Sequence, residues 1–255
     1  MAGSTDAPSV LGRAFELLGV LERADGPMGL SDIAAATGIP KATTFRLLGQ
    51  LVEQRAVVRK GELYALGMRL FALGSAVGIP RRLQDAALPV MGELSDEGQV
   101  VHLGVLDAGT VLQIQRVAHG ARESRSAPST RRPLHATALG KALLAQVPDE
   151  TLLPLLAPSR LEALTPHTIT DPTRLHHQVV RIRQRGVAFE HDEWMVGYCA
   201  LAVPIGTLAD GVVAAISMAG RYGRFDPSRS VHDLQRAAAR IAPRAGAQAW
   251  SPEVR

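Results

Sequence analysis

Residues 30 to 51, LSDIAAATGIPKATTFRLLGQL, most constrain the fold, because they read as two short helices meeting at Gly38. Ser31 is expected to cap the first helix, which carries Ile33, Ala34 and Ala36. Thr37-Gly38 stops it by supplying a residue that accepts positive φ. Pro40 suits the start of the next helix. At roughly 100° per residue, Phe45, Leu48 and Val52 share one face, and Thr43, Arg46 and Gln50 lie opposite. One face packs and the other is free, which is the pattern of a helix-turn-helix that reads DNA. Arginine bonds guanine edges in bidentate fashion, glutamine does so with adenine, and threonine meets a base edge, a thymine methyl or a phosphate. On that reading Lys41, Thr43, Thr44, Arg46 and Gln50 face DNA, with Lys41 near the helix start suited to a phosphate.

Any three-helix unit has a solvated polar face, so the flanking sequence decides. Residues 53 to 66 hold two β-inclined stretches, Ala56-Val57-Val58 and Leu63-Tyr64-Ala65-Leu66, around Arg59-Lys60-Gly61-Glu62. This predicts a hairpin with a basic tip, and Arg59 and Lys60 join the expected DNA contacts. Upstream, Val10, Ala14, Leu17, Leu18 and Leu21 have helical spacing. The order helix, helix, helix, hairpin is a winged helix. Between residues 41 and 60 the basic side chains Lys41, Arg46, Arg55, Arg59 and Lys60 face one acid, Glu53, so charge is focused on the reading helix and wing.

With 255 residues and 46% hydrophobic composition the chain has room for two domains. The net charge of +4 and a pI near 9.7 permit a polyanionic partner. Cys199 is the single cysteine, which excludes an intramolecular disulfide and fits a reducing cytoplasm. The first ten residues lack the basic and apolar runs of a secretory signal. The most apolar region, residues 198 to 220, is broken by Pro204, Asp210 and glycines, so no membrane span is expected.

The expected fold is α+β: a winged helix-turn-helix over residues 7–66, a linker with a helix over 67–84, and a mixed α/β domain over 85–250. The linker helix is interrupted at Gly78-Ile79-Pro80-Arg81-Arg82, and a second helix runs from Asp85 to about Glu97. QVVHLGVLD and TVLQIQRVA form a hairpin across Ala108-Gly109. HATALGKALLAQ is a small-residue helix, Asp149 starts another, and Asp171-Pro172 caps one that ends near Gly186. Val187 to Glu190 resumes the sheet, CALAVPIG and GVVAAISMA pair across Ala209-Asp210-Gly211, and Asp226-Pro227 opens a last helix. Arg122, Arg125, Arg131 and Arg132 read as a solvated loop or subunit contact.

Four stretches resemble IclR-type transcriptional regulators over nearly the whole chain: the helix-turn-helix above, Tyr64-Ala65-Leu66-Gly67, residues 133–145 (PLHATALGKALLA), and Ala200-Leu201-Ala202-Val203-Pro204-Ile205. The resemblance implies a C-terminal GAF-like domain that senses a small molecule. Serines common in the family are replaced here by Pro40 and Ala42, which removes two hydroxyl contacts to phosphate. Carried over residue by residue, the resemblance implies an effector pocket at Ala138, Leu139, Glu190, Ala200, Ser217 and Ala219. A family pocket cysteine falls on Ala200, so strand alternation points Cys199 to the other side.

The implied function is a ligand-responsive transcription factor, a repressor rather than an activator. Its expected partners are double-stranded operator DNA, a carboxylate-bearing or aromatic metabolite, and further copies in a homodimer or homotetramer. No cofactor, metal or membrane is expected. One alternative is a hydrolase using Cys199 with His191 and Asp192 on a GAF-like domain. Another is an architectural DNA-binding protein without ligand control. Glu190-His191-Asp192-Glu193 and His176-His177 offer metal-ligand types, but in no recognised zinc spacing.

Overall fold

The computed structural model describes residues 9–95, 99–118 and 131–252, and the chain divides into two compact units, Met1–Gly78 and Ile79–Arg255. In the first unit α1 (Val10–Arg23) begins at Ser9, whose hydroxyl accepts the Gly12 N–H at 3.0 Å. There follow a short strand β1 (Met28–Gly29), α2 (Leu30–Thr37), α3 (Lys41–Glu53), the hairpin β2 (Val57–Lys60) and β3 (Leu63–Leu66), and α4 (Met68–Ser75). Leu17, Leu21, Ile33, Ile39, Leu47, Leu48, Val57 and Tyr64 form one core, so packing holds an α2 too short to be stable alone.

The winged helix departs from the sequence reading in two places. Ser31 is not the cap of α2: the helix starts two residues earlier than that cap implies, with Gly29 at the N-cap and no side-chain cap bond. Pairing of β1 with β3, Met28 opposite Tyr64, delivers the chain directly into the helix. On α3 the packing face carries Thr44, Leu47 and Leu48, whereas Phe45 is 53% exposed. The Thr44 hydroxyl donates to the Ile39 and Pro40 carbonyls, both at 3.2 Å, so it is buried with its bonds made and the wheel turns Phe45 outward. Gly38 ends α2 with φ +69°.

In the second unit α5 (Gly78–Leu94) is continuous across the expected interruption, which falls at Val77 instead. Pro80 lies in the first turn of α5, where backbone N–H groups have no intrahelical partner to lose. The helix end expected near Glu97, and Arg122 and Arg125, lie outside the described residues. The elements that follow are β4 (Gln99–Asp107), β5 (Thr110–Ala118), β6 (Arg131–Arg132), α6 (Ala138–Leu144), α7 (Asp149–Leu155), α8 (Pro172–Arg185), β7 (Ala188–His191), β8 (Tyr198–Thr207), β9 (Val213–Arg221), α9 (Val231–Ala245) and β10 (Gln248–Ala249). The sheet order is β10-β8-β9-β4-β5-β6, with β7 also paired to β8.

Strand alternation divides the sheet into two faces. Cys199, Leu201, Val203, Ile205, Ile216 and Met218 pack with α5 and α9. Ala200, Ala202 and Ala215 face the other way, toward α6, α7 and α8. The small residues on that face let α6 lie close. A Cβ at Gly104 would stand 2.9 Å from Leu139, and one at Gly140 would stand 2.3 Å from the Leu134 carbonyl oxygen. Among the described residues no helix is long and apolar enough to cross a membrane.

Gly140→Ala therefore forces backbone apart and should lower unfolding free energy by about 1–3 kcal/mol or more. Gly74→Ala in α4, where an added Cβ meets nothing within 4 Å, should be neutral or gain about 0.5–1 kcal/mol. Denaturant titration of both variants checks the contrast, and equal stability would contradict the close approach.

Candidate functional site

Two sites emerge, one in each unit. The outer face of α3 exposes Lys41, Ala42, Phe45, Arg46, Gly49 and Gln50, with Thr43 half-buried. Thr44 has to be removed from the DNA-contacting set, because it is fully buried with its hydroxyl committed to backbone carbonyls. Phe45, which the wheel assigned to the core, takes a place on the exposed face. It lies between the small residues Ala42 and Gly49, which leave the helix backbone approachable.

In the wing, β2 and β3 turn through Gly61-Glu62, with Gly61 at φ +62°. The Arg59 Nε donates to the Gly61 carbonyl at 2.7 Å and its Nη2 to Glu62 at 2.9 Å, while the guanidinium lies 5.6 Å over the Tyr64 ring. Arg59 thus braces the hairpin, and Lys60 stands exposed next to it.

The second site is a cavity of about 260 Å³ on the α6 side of the sheet. The structure brings Ala138, Leu139, Glu190, Ala200, Ser217 and Ala219 together on its wall. Ala200 and Ala219 are cross-strand partners on β8 and β9, and Ser217 faces His102 across β9 and β4. The wall also contains polar groups that the sequence reading did not assign to it: His102, Gln113, Arg116, Arg132, Thr137, Trp194 and Tyr198. Arg132 was assigned to a loop; instead it belongs to β6 and lies 5.2 Å over the Trp194 ring. Its neighbour Arg131 is exposed and pairs with Asp107 at 2.5 Å.

Burial and two arginines set the electrostatics of this wall. Burial, then Arg132 and Arg116, push the His102 pKa down to about 3, so the imidazole is neutral at physiological pH. Burial and Arg116 press Arg132 below its usual range. Gln113 is fully buried, and neither its Nε2 nor its Oε1 has a hydrogen-bond partner. At the start of α6 the Thr137 hydroxyl already takes the Gly140 N–H at 3.0 Å.

The remaining wall is the segment from Glu190 to Gly197, fixed from several directions. Glu190 accepts the N–H groups of Glu193 at 2.6 Å and Trp194 at 3.0 Å. Lys141 of α6, fully buried, donates to Glu193 at 2.5 Å. Thr165 and Thr168 hydroxyls donate to the carbonyls of Asp192 at 2.6 Å and Glu193 at 2.7 Å. The four-residue run once readable as metal ligands is therefore dispersed. Glu190 faces the cavity, His191 stacks on Tyr222 at 6.2 Å, Asp192 accepts the Gly197 N–H, and Glu193 pairs with Lys141. His176 and His177 sit on α8 with ring centroids 6.4 Å apart.

Cys199 lies opposite His191 on β7 and β8, but its thiol is directed to the carbonyls of Gly220 at 3.8 Å and Phe225 at 3.7 Å. Burial, followed by Glu190, Asp192 and Asp226, raises its pKa, the reverse of an activated nucleophile.

A winged helix followed by an α/β/α domain with a polar-lined cavity defines a DNA-binding regulator of two parts. The model of the IclR helix-turn-helix domain matches residues 10–61, and that of the bacterial transcriptional regulator IclR C-terminal region matches residues 80–243. The chain is 32% identical over 234 residues to the transcriptional repressor IclR of Escherichia coli, covering 89% of this chain and 85% of the relative. It is 32% identical over 225 residues to the acetate operon repressor of Salmonella typhimurium, covering 86% and 82%. Among solved structures, an IclR homologue from Microbacterium hydrocarbonoxydans complexed with 4-hydroxybenzoate superposes with a TM-score of 0.81 at 26% identity, covering 93% of this chain and 99% of that one. The IclR of Thermotoga maritima gives 0.68 at 28%, covering 92% and 98%. The chain belongs to the IclR family of transcriptional regulators, which are DNA-binding proteins and not enzymes.

Burial raises the Glu190 pKa to about 7, against the pull of the Trp194 and Glu193 N–H groups; Glu193 adds to the rise and Lys141 opposes it. The folded protein keeps a proton that the unfolded chain releases near pH 4.5, so stability falls between about pH 4.5 and 7 and then levels. Glu190→Gln should raise the melting temperature at pH 8 and change it little at pH 5. Thermal melts at the two pH values check this, and an equal shift at both would contradict it.

Proposed function

We propose that the protein is a transcriptional repressor whose grip on operator DNA is set by a small organic molecule in the 260 Å³ cavity. The carrying observation is that the six residues expected to meet an effector line that single cavity. The volume lies just below the range of drug-sized pockets, about 300–1,000 Å³, and suits a small metabolite. With Ala200 and Ala219 removing polar atoms, Ser217 keeping one hydroxyl, and Trp194 and Tyr198 nearby, the occupant is larger and flatter than a three-carbon ketoacid. The 4-hydroxybenzoate in the Microbacterium homologue supports a carboxylate-bearing aromatic class. The named repressors among the relatives support the sign of regulation.

Residues 7–66 contact DNA, 67–84 couple, and 85–250 sense. Arg46 and Gln50 read base edges, Thr43 borders them, Phe45 meets a thymine methyl, and Lys41, Arg59 and Lys60 address phosphates. One reading helix covers few base pairs, so a homodimer, or a homotetramer of such pairs, binds a palindrome with half-sites about one helical turn apart or a multiple of it. A role on operator DNA supports a cytoplasmic location.

Arg46→Ala should cost about 1–3 kcal/mol of operator binding with an unchanged melting curve, measured by gel shift. Unaltered affinity would remove Arg46 from the reading face. Ser217→Ala should blunt the response of operator binding to effector while leaving affinity without effector unchanged. Titrations with and without candidate carboxylates test it, and a lost basal affinity would contradict it.

A further inference from the structure

Gln113 is the unusual residue of the cavity. An amide buried without partners costs on the order of 1–3 kcal/mol, and natural interiors rarely leave both its donor and its acceptor unmade. Here the side chain is fully buried, both polar atoms are unpaired, and it lines the cavity beside Arg116 and Arg132. The Arg132 Nε is likewise without a partner. Among the described residues that line the cavity Glu190 is the only acid, and it already accepts two backbone N–H groups. The β5–β6 side therefore offers the Arg132 Nε–H and a complete amide that no described residue satisfies.

We propose that this side of the cavity is an anion-and-hydroxyl subsite, and that the effector is a hydroxylated organic carboxylate. Its carboxylate, which only accepts, takes donors from Arg132 and from the Gln113 Nε2. Its hydroxyl donates to the Gln113 Oε1. Arg116 adds positive potential, and the flat body of the molecule lies along Trp194 and the small side chains of Ala200 and Ala219. The assignment rests on the reading of the cavity as the effector pocket. It places the charged end at Arg132 and Gln113. Uncharged molecules of the same shape leave the half-buried Arg132 guanidinium without a carboxylate, and acids lacking the hydroxyl leave the amide oxygen bare. Both are discriminated against by loss of a buried hydrogen bond, the strongest form of small-ligand selectivity.

The test is calorimetric titration of the full-length protein with two matched sets: mandelate, phenylacetate and mandelamide, and 3-hydroxybenzoate, benzoate and 3-hydroxybenzamide. At least one hydroxy acid should bind at least about tenfold more tightly than its amide and its deoxy acid. Arg132→Gln should abolish the preference for acid over amide. Gln113→Leu should abolish the preference for the hydroxyl while raising the melting temperature of the free protein, since it removes an unpaired buried amide. A merely structural Gln113 would instead lower it. Arg131→Gln, exposed and outside the cavity, is the control and should change neither preference. Amides that bind as well as acids, or no binding by any hydroxy acid at millimolar concentration, would overturn the subsite. Operator titration with the same compounds separates the two claims: amides that bind and shift operator affinity leave the pocket reading intact without the subsite. Acids that bind as described without shifting operator affinity leave the subsite intact without the gating.

Discussion

The cavity beside α6 depends on one buried ion pair. Lys141 projects from α6, fully enclosed, and meets Glu193 in the segment that forms the opposite wall. Burial lowers the Lys141 pKa while Glu193 and then Glu190 pull it back. Taking two ions from water costs several kcal/mol each, and an apolar pair of similar volume often folds as well or better. What the ions contribute is position: the bond draws Glu193 toward α6, the Thr165 and Thr168 hydroxyls hold its backbone, and Trp194 is set over Arg132. The helix that carries Lys141 can approach closely because Gly104 and Gly140 lack side chains and Ala202 and Ala215 are short. Close packing and the ion pair thus fix opposite walls of one 260 Å³ space.

Much of the fold was legible because its signals are local. The β4–β5 hairpin, the Asp171 cap and Gly186 stop of α8, and the helix-turn-helix follow from alternation, capping and turn chemistry within short windows. The short strands β1, β6 and β10 were not legible, since two residues carry no period and owe their state to a distant partner. Thr44 and Phe45 show another limit. A wheel ranks residues by polarity, whereas α3 buries a threonine by bonding its hydroxyl to carbonyls before the helix and leaves a phenylalanine outside.

The cavity was legible in part for a related reason. Ala138, Leu139, Glu190, Ala200, Ser217 and Ala219 were placed by family resemblance, not by any chemistry of their own. The groups with the strongest chemistry, Gln113, Arg116 and Arg132, looked like ordinary sheet and loop residues in the sequence. Arg132 stood in an arginine-rich run whose neighbour Arg131 is solvent-exposed and paired with Asp107, and only the pairing of β5 with β6 distinguishes the two.

A repressor gated by its cavity must obey reciprocity: whatever factor the effector imposes on operator affinity, the operator imposes on effector affinity. The direct measurement is the dissociation constant of the tightest-binding hydroxy acid, by titration calorimetry, for the free protein and for the protein saturated with an operator selected from random DNA. It is set beside operator affinity with and without that acid. The two ratios should agree, at roughly 5- to 150-fold. An acid that binds equally well with and without operator would mean that cavity and DNA-binding face act independently.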